Sequence, residues 1–380
     1  MATTNPANLP GEAVDPGAAQ GAQIPLQSFV LPDFPPEAKG LKALTLTCDI
    51  KVDEYQETLS KPYSIPDSIP FAIESLTLEL FSLGYPPGFL NRLAERLPNL
   101  KSVVIYSQLL GGISKESAED AALFFKKLPN LRALHLLDVF AKPGFFAQIA
   151  PWLKYSASEE PGEARRGLMF LEVNYTFRHE DEDFMAQIPA TELGTMVGPG
   201  LISCSFNVAA PEDASEDDQD PSNVQGAANK EGIMAFNKTL SAEIVKAFTE
   251  GDDRPKGLRA LNSTLFTFTL PQFQTVLATQ KNVMVLNMTL EVEPGEACKK
   301  ELLKGLEGCP QLEQVEIVAN PSLQFFMEVS CPADCLSLHL VSSRSIANNP
   351  PRSKTPNPTS SERPSPRPPT WTPSQRSATS

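Results

Sequence analysis

The chain has 380 residues, of which 41% are hydrophobic and 21% are charged, and its formal net charge at pH 7 is −14. This acidic balance argues against nucleic acid and anionic membranes as main partners, because both carry negative charge themselves. No apolar run approaches the ~20 residues that a membrane helix needs, and no signal peptide is visible at Met1. Together with six scattered cysteines, these features predict a soluble protein of the cytoplasm or nucleus.

The beginning of the chain has a composition of its own. Residues 1–37 are rich in Ala, Gly and Pro, and we expect them to form a disordered N-terminal arm. A first strand is predicted within residues 39–52. The connection from Asp53 to Pro70 is polar and interrupted by prolines, which excludes a long helix there.

A short apolar pattern recurs along the rest of the chain. The stretch Leu97-Pro-Asn-Leu100 with its following strand returns almost unchanged from Leu128 to Leu136. Both are copies of Leu-x-x-Leu-x-Leu, in which another apolar residue can replace each Leu. Nine copies begin at Leu41, Ile73, Leu100, Leu131, Leu168, Leu201, Leu258, Val283 and Leu312, and the copy at Leu258 is damaged because Ser263 occupies its third apolar position. Most steps are 25–37 residues long, which is the spacing of a repeat made of one strand and one helix.

Each repeat cannot bury its apolar face alone. Two apolar residues spaced two apart, such as Leu134 and Leu136, point to the same face of a strand. Neighbouring repeats must therefore stack their strands in parallel and share one core. The pattern resembles the leucine-rich-repeat family over residues 38–343, and it is similar to the irregular intracellular subclass found behind F-box domains. The resemblance implies an α/β solenoid with a curved parallel sheet inside and helices outside, although no F-box is visible before Leu41.

Amphipathic segments between the strands predict the outer helices. Several of them begin with Pro or follow Ser, which suits the first turn of a helix. The predicted helices are Pro87–Leu97, Lys115–Leu128, Pro143–Leu153, Asp183–Val197, Ile233–Thr249, Pro271–Thr279 and Glu296–Leu306.

Two segments do not fit the repeat. Residues 211–230 carry six acidic residues between 212 and 220 and predict an acidic loop inside the solenoid. Residues 344–380 are rich in Pro, Ser and Arg and predict a disordered tail. Within it, Arg363, Pro366 and Pro369 form the Arg-x-x-Pro-x-x-Pro pattern that SH3-type domains bind, so such a domain is a possible partner.

The sequence offers little for catalysis. The three histidines, His135, His179 and His339, lie far apart, and no nucleophile, phosphate-binding or dinucleotide motif occurs. Cys331 and Cys335 form one loose pair, whereas structural zinc sites need two close pairs. We therefore expect neither an enzyme nor a metal or other cofactor.

The alternation of the strands predicts which side chains line the inner face of the sheet. Most of them are small or polar. The exception is a cluster on adjacent strands in the middle: Val104, Tyr106, His135, Leu137, Phe170, Glu172 and Asn174. Large aromatic and aliphatic anchors dominate interface energies, so this cluster predicts a binding site for a protein partner. The alternative is that the N-terminal arm or the acidic loop covers it.

These observations favour a non-catalytic scaffold that binds protein on the concave face of a solenoid. A second hypothesis, implied by the family resemblance, is a substrate-recognition subunit of a ubiquitin ligase. A third is a GTPase-activating leucine-rich-repeat protein, which needs an essential arginine such as Arg92 or Arg178.

Overall fold

The computed structural model describes residues 21–157, 164–176, 188–209, 240–292 and 296–320. Within these ranges, no helix is both long enough and apolar enough to cross a bilayer. Several predictions lie outside the described residues, among them the first twenty residues of the predicted arm, the acidic loop 211–230 and the tail with Arg363, Pro366 and Pro369.

The described residues form an α/β structure around one ten-stranded parallel sheet. The strands are β1 Gly21–Leu26, β2 Ala43–Cys48, β3 Ser75–Glu79, β4 Ser102–Tyr106, β5 Ala133–Leu137, β6 Tyr155–Ser156, β7 Arg165–Arg166, β8 Phe170–Thr176, β9 Ser203–Ala209, β10 Ala260–Thr269, β11 Val285–Glu291 and β12 Gln314–Asn320. The order in the sheet follows the chain, and only β6 and β7 stand apart as a short antiparallel pair among these described strands. The predicted parallel sheet is confirmed.

The predicted repeats lie side by side in the same register. Their second apolar residues form one continuous row: Leu44, Leu76, Val103, Leu134, Leu171, Cys204, Leu261, Leu286 and Val315, each paired with the next. All of them except Val315 are buried. The in-register row follows from the repeated spacing, because each apolar face is completed only by its neighbours.

A backbone ladder fixes where each strand begins. Two successive N–H groups of one repeat donate to a single carbonyl oxygen of the repeat before it. Lys101 N and Ser102 N, for example, donate to Glu74 O at 2.8 and 3.1 Å. The same arrangement recurs at each step from Lys42 O to Met284 O. The strand starts are therefore aligned by main-chain hydrogen bonds, whatever the length of the segment between two strands.

Helices cover one face of the sheet. They are α1 Tyr55–Leu59, α2 Phe89–Arg96, α3 Lys115–Lys126, α4 Phe145–Leu153, α5 Ala190–Leu193, α6 over residues 240–249, α7 Leu270–Thr279 and α8 Glu296–Glu307. Most start within two residues of their predicted position. The helix expected from Asp183 to Val197 is described only from residue 188 onward, and that part contains α5 and a 3₁₀ turn. The start of the helix expected from Ile233 to Thr249 lies outside the described residues.

Carboxylates from the next helix cap two of these helices. Both α2 and α4 follow a glycine with positive φ, Gly88 and Gly144, which has no side chain to act as a cap. Asp120 of α3 accepts hydrogen bonds from Leu90 N at 2.9 Å and Asn91 N at 3.1 Å. Glu192 of α5 accepts from three N–H groups at the start of α4. Each carboxylate thus accepts hydrogen bonds from the first N–H groups of one helix and joins that helix to the next.

The expected disordered arm does not extend to residue 37. Residues 21–26 form β1, which pairs with β2, and Leu26 is 1% exposed. Phe29 is also 1% exposed, and its ring packs against Tyr55, Phe81, Tyr85 and Phe89 with centroid distances of 5.6–6.2 Å. Pro25 is compatible with β1 because this strand lies at the edge of the sheet. Aromatic packing orders a segment whose composition predicted disorder.

Candidate functional site

The face of the ten-stranded sheet opposite the helices is here named the open face. The central patch on it consists of the predicted site residues Val104, Tyr106, His135, Leu137, Phe170, Glu172 and Asn174. All seven are partly exposed, whereas the residues that alternate with them are buried. The structure therefore brings all seven together on adjacent strands. That they bind a partner stays a prediction.

The register gives the patch its internal order. Val104 pairs with His135, which pairs with Glu172, so these three form one row across β4, β5 and β8. A second row, nearer the carboxyl ends of the strands, runs through Tyr106, Leu137 and Asn174. Neighbouring strands lie about 4.8 Å apart, so side chains that follow one another in a row are within contact distance. The patch is consequently one continuous surface.

A polar contact between two side chains lies in the middle of the patch. His135 Nδ1 and Glu172 Oε2 are 2.7 Å apart, and the side chains are 25% and 24% exposed. When Nδ1 carries a proton it donates to the carboxylate. The contact fixes both side chains in one orientation, which lowers the entropy that a partner would have to remove.

A buried carboxylate beneath the patch supports Tyr106. The Tyr106 hydroxyl donates to Asp138 Oδ2 at 3.2 Å, and Thr176 N donates to Asp138 Oδ1. Asp138 is 4% exposed and has a φ of +50°, and its own N–H donates to Asn174 O at 2.8 Å. This link between β4, β5 and β8 was not predicted from the sequence. The only signal was an aspartate between apolar residues at the end of a strand.

A buried tyrosine lies next to this carboxylate. The Tyr175 hydroxyl donates to Val139 O at 3.0 Å. Burial, with a smaller contribution from the Asp138 carboxylate, raises the pKa of Tyr175. The phenol therefore stays neutral and acts as a hydrogen-bond donor that ties β8 to the turn after β5.

Phe170 is the largest side chain in a row of small ones. The row at the amino ends of the strands runs through Ala43, Ser75, Ser102, Ala133, Phe170, Ser203 and Ala260. Because its direct neighbours Ala133 and Ser203 are small, the partly exposed Phe170 ring projects beyond them. It is a suitable apolar anchor for a partner.

An exposed leucine in a strained conformation lies at the border of the patch. Leu80 follows β3, is 50% exposed and has a φ of +67°. Phe81 N donates to Tyr106 O at 3.2 Å, so this turn lies beside the end of β4. A left-handed conformation costs a residue with a Cβ about 1–3 kcal/mol. It is unusual to find this conformation at an apolar residue whose side chain is half exposed.

Two of the described cysteines, Cys204 and Cys309, are poor nucleophiles because they are buried. Cys204 is fully buried in the core row, and burial raises the pKa of its thiol. Burial also raises the pKa of the Cys309 thiol, which donates to the carbonyl oxygens of Leu277 and Gln280. The described residues contain no group of three metal-ligating side chains. His179, His339, Cys331 and Cys335 lie outside the described residues.

Two clefts lie on the helix side and not on the open face. One has a volume of about 500 Å³ and is lined by residues of α2, including Arg92 and Arg96, and by Tyr63. The other, of about 270 Å³, lies between α3 and α4 beside Leu123 and Trp152. The arginine considered for GTPase activation, Arg92, is thus on the opposite side from the central patch. Arg178 lies outside the described residues.

Comparison with known proteins gives no family. No family model matches the chain, and no match was found among curated proteins. The chain is similar to one in the structure of the Toll–Spatzle complex, a molecular hub in Drosophila development and innate immunity. The identity is 12% over 79% of this chain and 47% of that one, with a TM-score of 0.19. The chain spans about half the length of that protein, and a likeness this distant supports no conclusion.

Proposed function

We propose that the chain is an irregular leucine-rich-repeat solenoid that acts as a non-catalytic scaffold and binds a protein partner through the central patch. The observation that carries this proposal is the common register of the repeats. It collects Tyr106, Leu137 and Phe170 on three adjacent strands and leaves them partly exposed. The F-box resemblance of the subclass has no support in the described residues.

The mechanism is presentation of a rigid surface. Asp138 orients the Tyr106 ring, the contact with Glu172 orients His135, and the backbone ladder holds the strands in place. A partner that covers these residues removes apolar surface from water while ordering little of the scaffold. Complete burial of one large apolar side chain favours binding by about 1.5–3 kcal/mol before the costs of association.

A capture experiment with a matched control tests the proposal. The variant Tyr106→Ala/Phe170→Ala removes the two aromatic anchors. The control variant Lys115→Ala/Glu119→Ala removes an exposed ion pair on α3, on the other side of the sheet. Proteins captured by the wild type should be lost from the patch variant and retained by the control. Equal capture by a patch variant whose circular dichroism spectrum matches the wild type would remove this site.

The same experiment separates the other hypotheses. A ligase core subunit among the captured proteins, independent of the patch, would favour the ubiquitin-ligase hypothesis. Accelerated single-turnover GTP hydrolysis by a captured GTPase would favour the GTPase-activating one. Capture with and without residues 344–380 tests the predicted SH3-type interaction of the tail.

A further inference from the structure

The strands of the sheet carry fixed charges of one sign only. Apart from His135, the charged residues of the ten described strands are Glu79, Glu172, Glu291 and Glu316, and none is Lys or Arg. All four glutamates are in phase with the central patch, so they belong to the open face. The open face therefore presents carboxylates without a lysine or arginine from its own described strands.

Three basic side chains at the amino edge of the sheet, Lys42, Lys101 and Arg132, are engaged elsewhere. Lys42 Nζ and Lys101 Nζ donate to the two oxygens of Glu74, at 3.1 and 2.7 Å. Arg132 donates to the carbonyl oxygens of Arg166 and Gly167, at 2.7 and 3.2 Å. These contacts hold the three cations at the starts of the strands, away from the carboxylates of the open face.

Two carboxylates, Glu172 within the patch and Glu79 beside it, have unused capacity to accept hydrogen bonds. The Glu79 carboxylate has no hydrogen bond or ion pair with any described residue, and the Glu172 carboxylate bonds only with His135 among them, through Oε2. Three amides of the same face have side-chain oxygens without a donor among the described residues: Asn174, Asn262 and Asn287. Their dipoles add to the negative potential of the face.

We infer that the partner docks on the central patch through an extended segment that carries two basic residues with a large apolar residue between them. This inference rests on the proposed function of the patch. One Lys or Arg pairs with Glu172 through its free oxygen, and the other pairs with Glu79. The apolar residue lies on Tyr106 and Leu137, which separate the two carboxylates across the sheet.

The geometry of the sheet sets the spacing of the basic residues. Glu79 and Glu172 lie on β3 and β8, three strands apart in the sheet. At about 4.8 Å per strand and with a two-residue offset along the strands, their backbones are about 16 Å apart. An extended segment rises about 3.3 Å per residue, so the basic residues should be about four to six positions apart.

Selection of peptides tests the inference without knowledge of the partner. A phage-displayed library of random peptides is selected on the full-length chain. Enriched peptides are then synthesised, and their affinities are measured for the wild type, Glu172→Gln, Glu79→Gln and Tyr106→Ala. Glu119→Gln, which changes an exposed carboxylate on α3, is the matched control.

We expect enrichment of Lys or Arg pairs at this spacing around an aromatic or aliphatic residue. Affinity should fall about tenfold in Glu172→Gln and about threefold in Glu79→Gln, because the contact with His135 already orients the Glu172 carboxylate for a charge-assisted hydrogen bond. It should fall with rising salt and stay unchanged in Glu119→Gln.

The outcomes separate this inference from the proposed function. Neutral or acidic peptides that need Tyr106 but bind Glu172→Gln as tightly as wild type would overturn the charge pattern and leave the binding site standing. Peptides that bind Tyr106→Ala and Glu172→Gln unchanged, or a library without any enrichment, would overturn both.

Discussion

The carboxylate beneath the central patch can be dissected by three substitutions at one position. Asp138 accepts hydrogen bonds from the Tyr106 hydroxyl and the Thr176 N–H, and it does so from a backbone with a φ of +50°. Asp138→Asn keeps one acceptor oxygen and tolerates positive φ. Asp138→Gly relaxes the backbone but removes both acceptors, and Asp138→Ala removes both and keeps the strain.

These differences give an ordered set of stabilities. Leaving one buried donor without an acceptor costs about 1–1.5 kcal/mol, so Asp138→Gly should lower the free energy of unfolding by about 2–3 kcal/mol. Asp138→Ala should lose about 1–2 kcal/mol more than Asp138→Gly because alanine is strained in the left-handed conformation. The larger conformational entropy that glycine loses on folding partly offsets this difference. We expect about 3–4 kcal/mol for Asp138→Ala and about 1 kcal/mol for Asp138→Asn.

Equilibrium unfolding in urea measures these values, and Tyr106→Phe completes a double-mutant cycle. Removing the hydroxyl should cost less in the Asp138→Ala background than in the wild type, with a coupling energy of about 1 kcal/mol. If Asp138→Asn destabilises as much as Asp138→Ala, or if the coupling energy is zero, the supporting role assigned to Asp138 is wrong.

Three further predictions concern other parts of the molecule. Phe29→Ala should lower the free energy of unfolding in urea by about 3–5 kcal/mol because it removes a ring packed against four others, and a change below about 1 kcal/mol would contradict the ordering of this segment. Leu80→Gly should raise that free energy by about 0.5–1 kcal/mol by relieving strain, while weakening capture of the partner; a loss of stability would show that Leu80 is not strained. Hydrogen bonds from Lys101, and to a smaller extent from Lys42, lower the pKa of Glu74. Their contribution to the stability of the fold is therefore fully present above the ordinary glutamate pKa of about 4.3, and it is lost as the pH falls through the lowered pKa. Between pH 5 and 3, the free energy of unfolding should accordingly decline less in Glu74→Gln than in the wild type. The same dependence on pH in both proteins would count against the effect.

The sheet could be predicted because its determinants are local. The spacing of Leu131, Leu134 and Leu136 specifies the start and the buried face of one strand, and repetition of that spacing specifies the neighbours. The central patch followed from the same alternation. The pattern could not predict contacts between side chains, such as the one between His135 and Glu172. It determines which residues lie next to each other on the sheet but not the rotamers of their side chains.

The missed features depend on residues distant in sequence. Phe29 is buried by aromatic rings that lie between positions 55 and 89 in the sequence. Nothing within residues 21–37 indicates that these rings surround it. Asp138 acquires its role only when Tyr106 and Thr176 are brought to either side by the register of three strands. In both cases composition or local pattern was a poor guide because tertiary packing decided the outcome.

The main-chain ladder at the strand starts separates the length of a repeat from its position in the sheet. Between the ends and starts of successive strands, the chain can take a short turn and helix or a much longer excursion, as it does from Ala209 to Ala260. The position of a strand does not depend on the length of this connection, because the start of each strand donates hydrogen bonds to a carbonyl oxygen of the repeat before it. Foreign segments could therefore be grafted after the strands to build new specificities beside the same patch, without redesign of the framework.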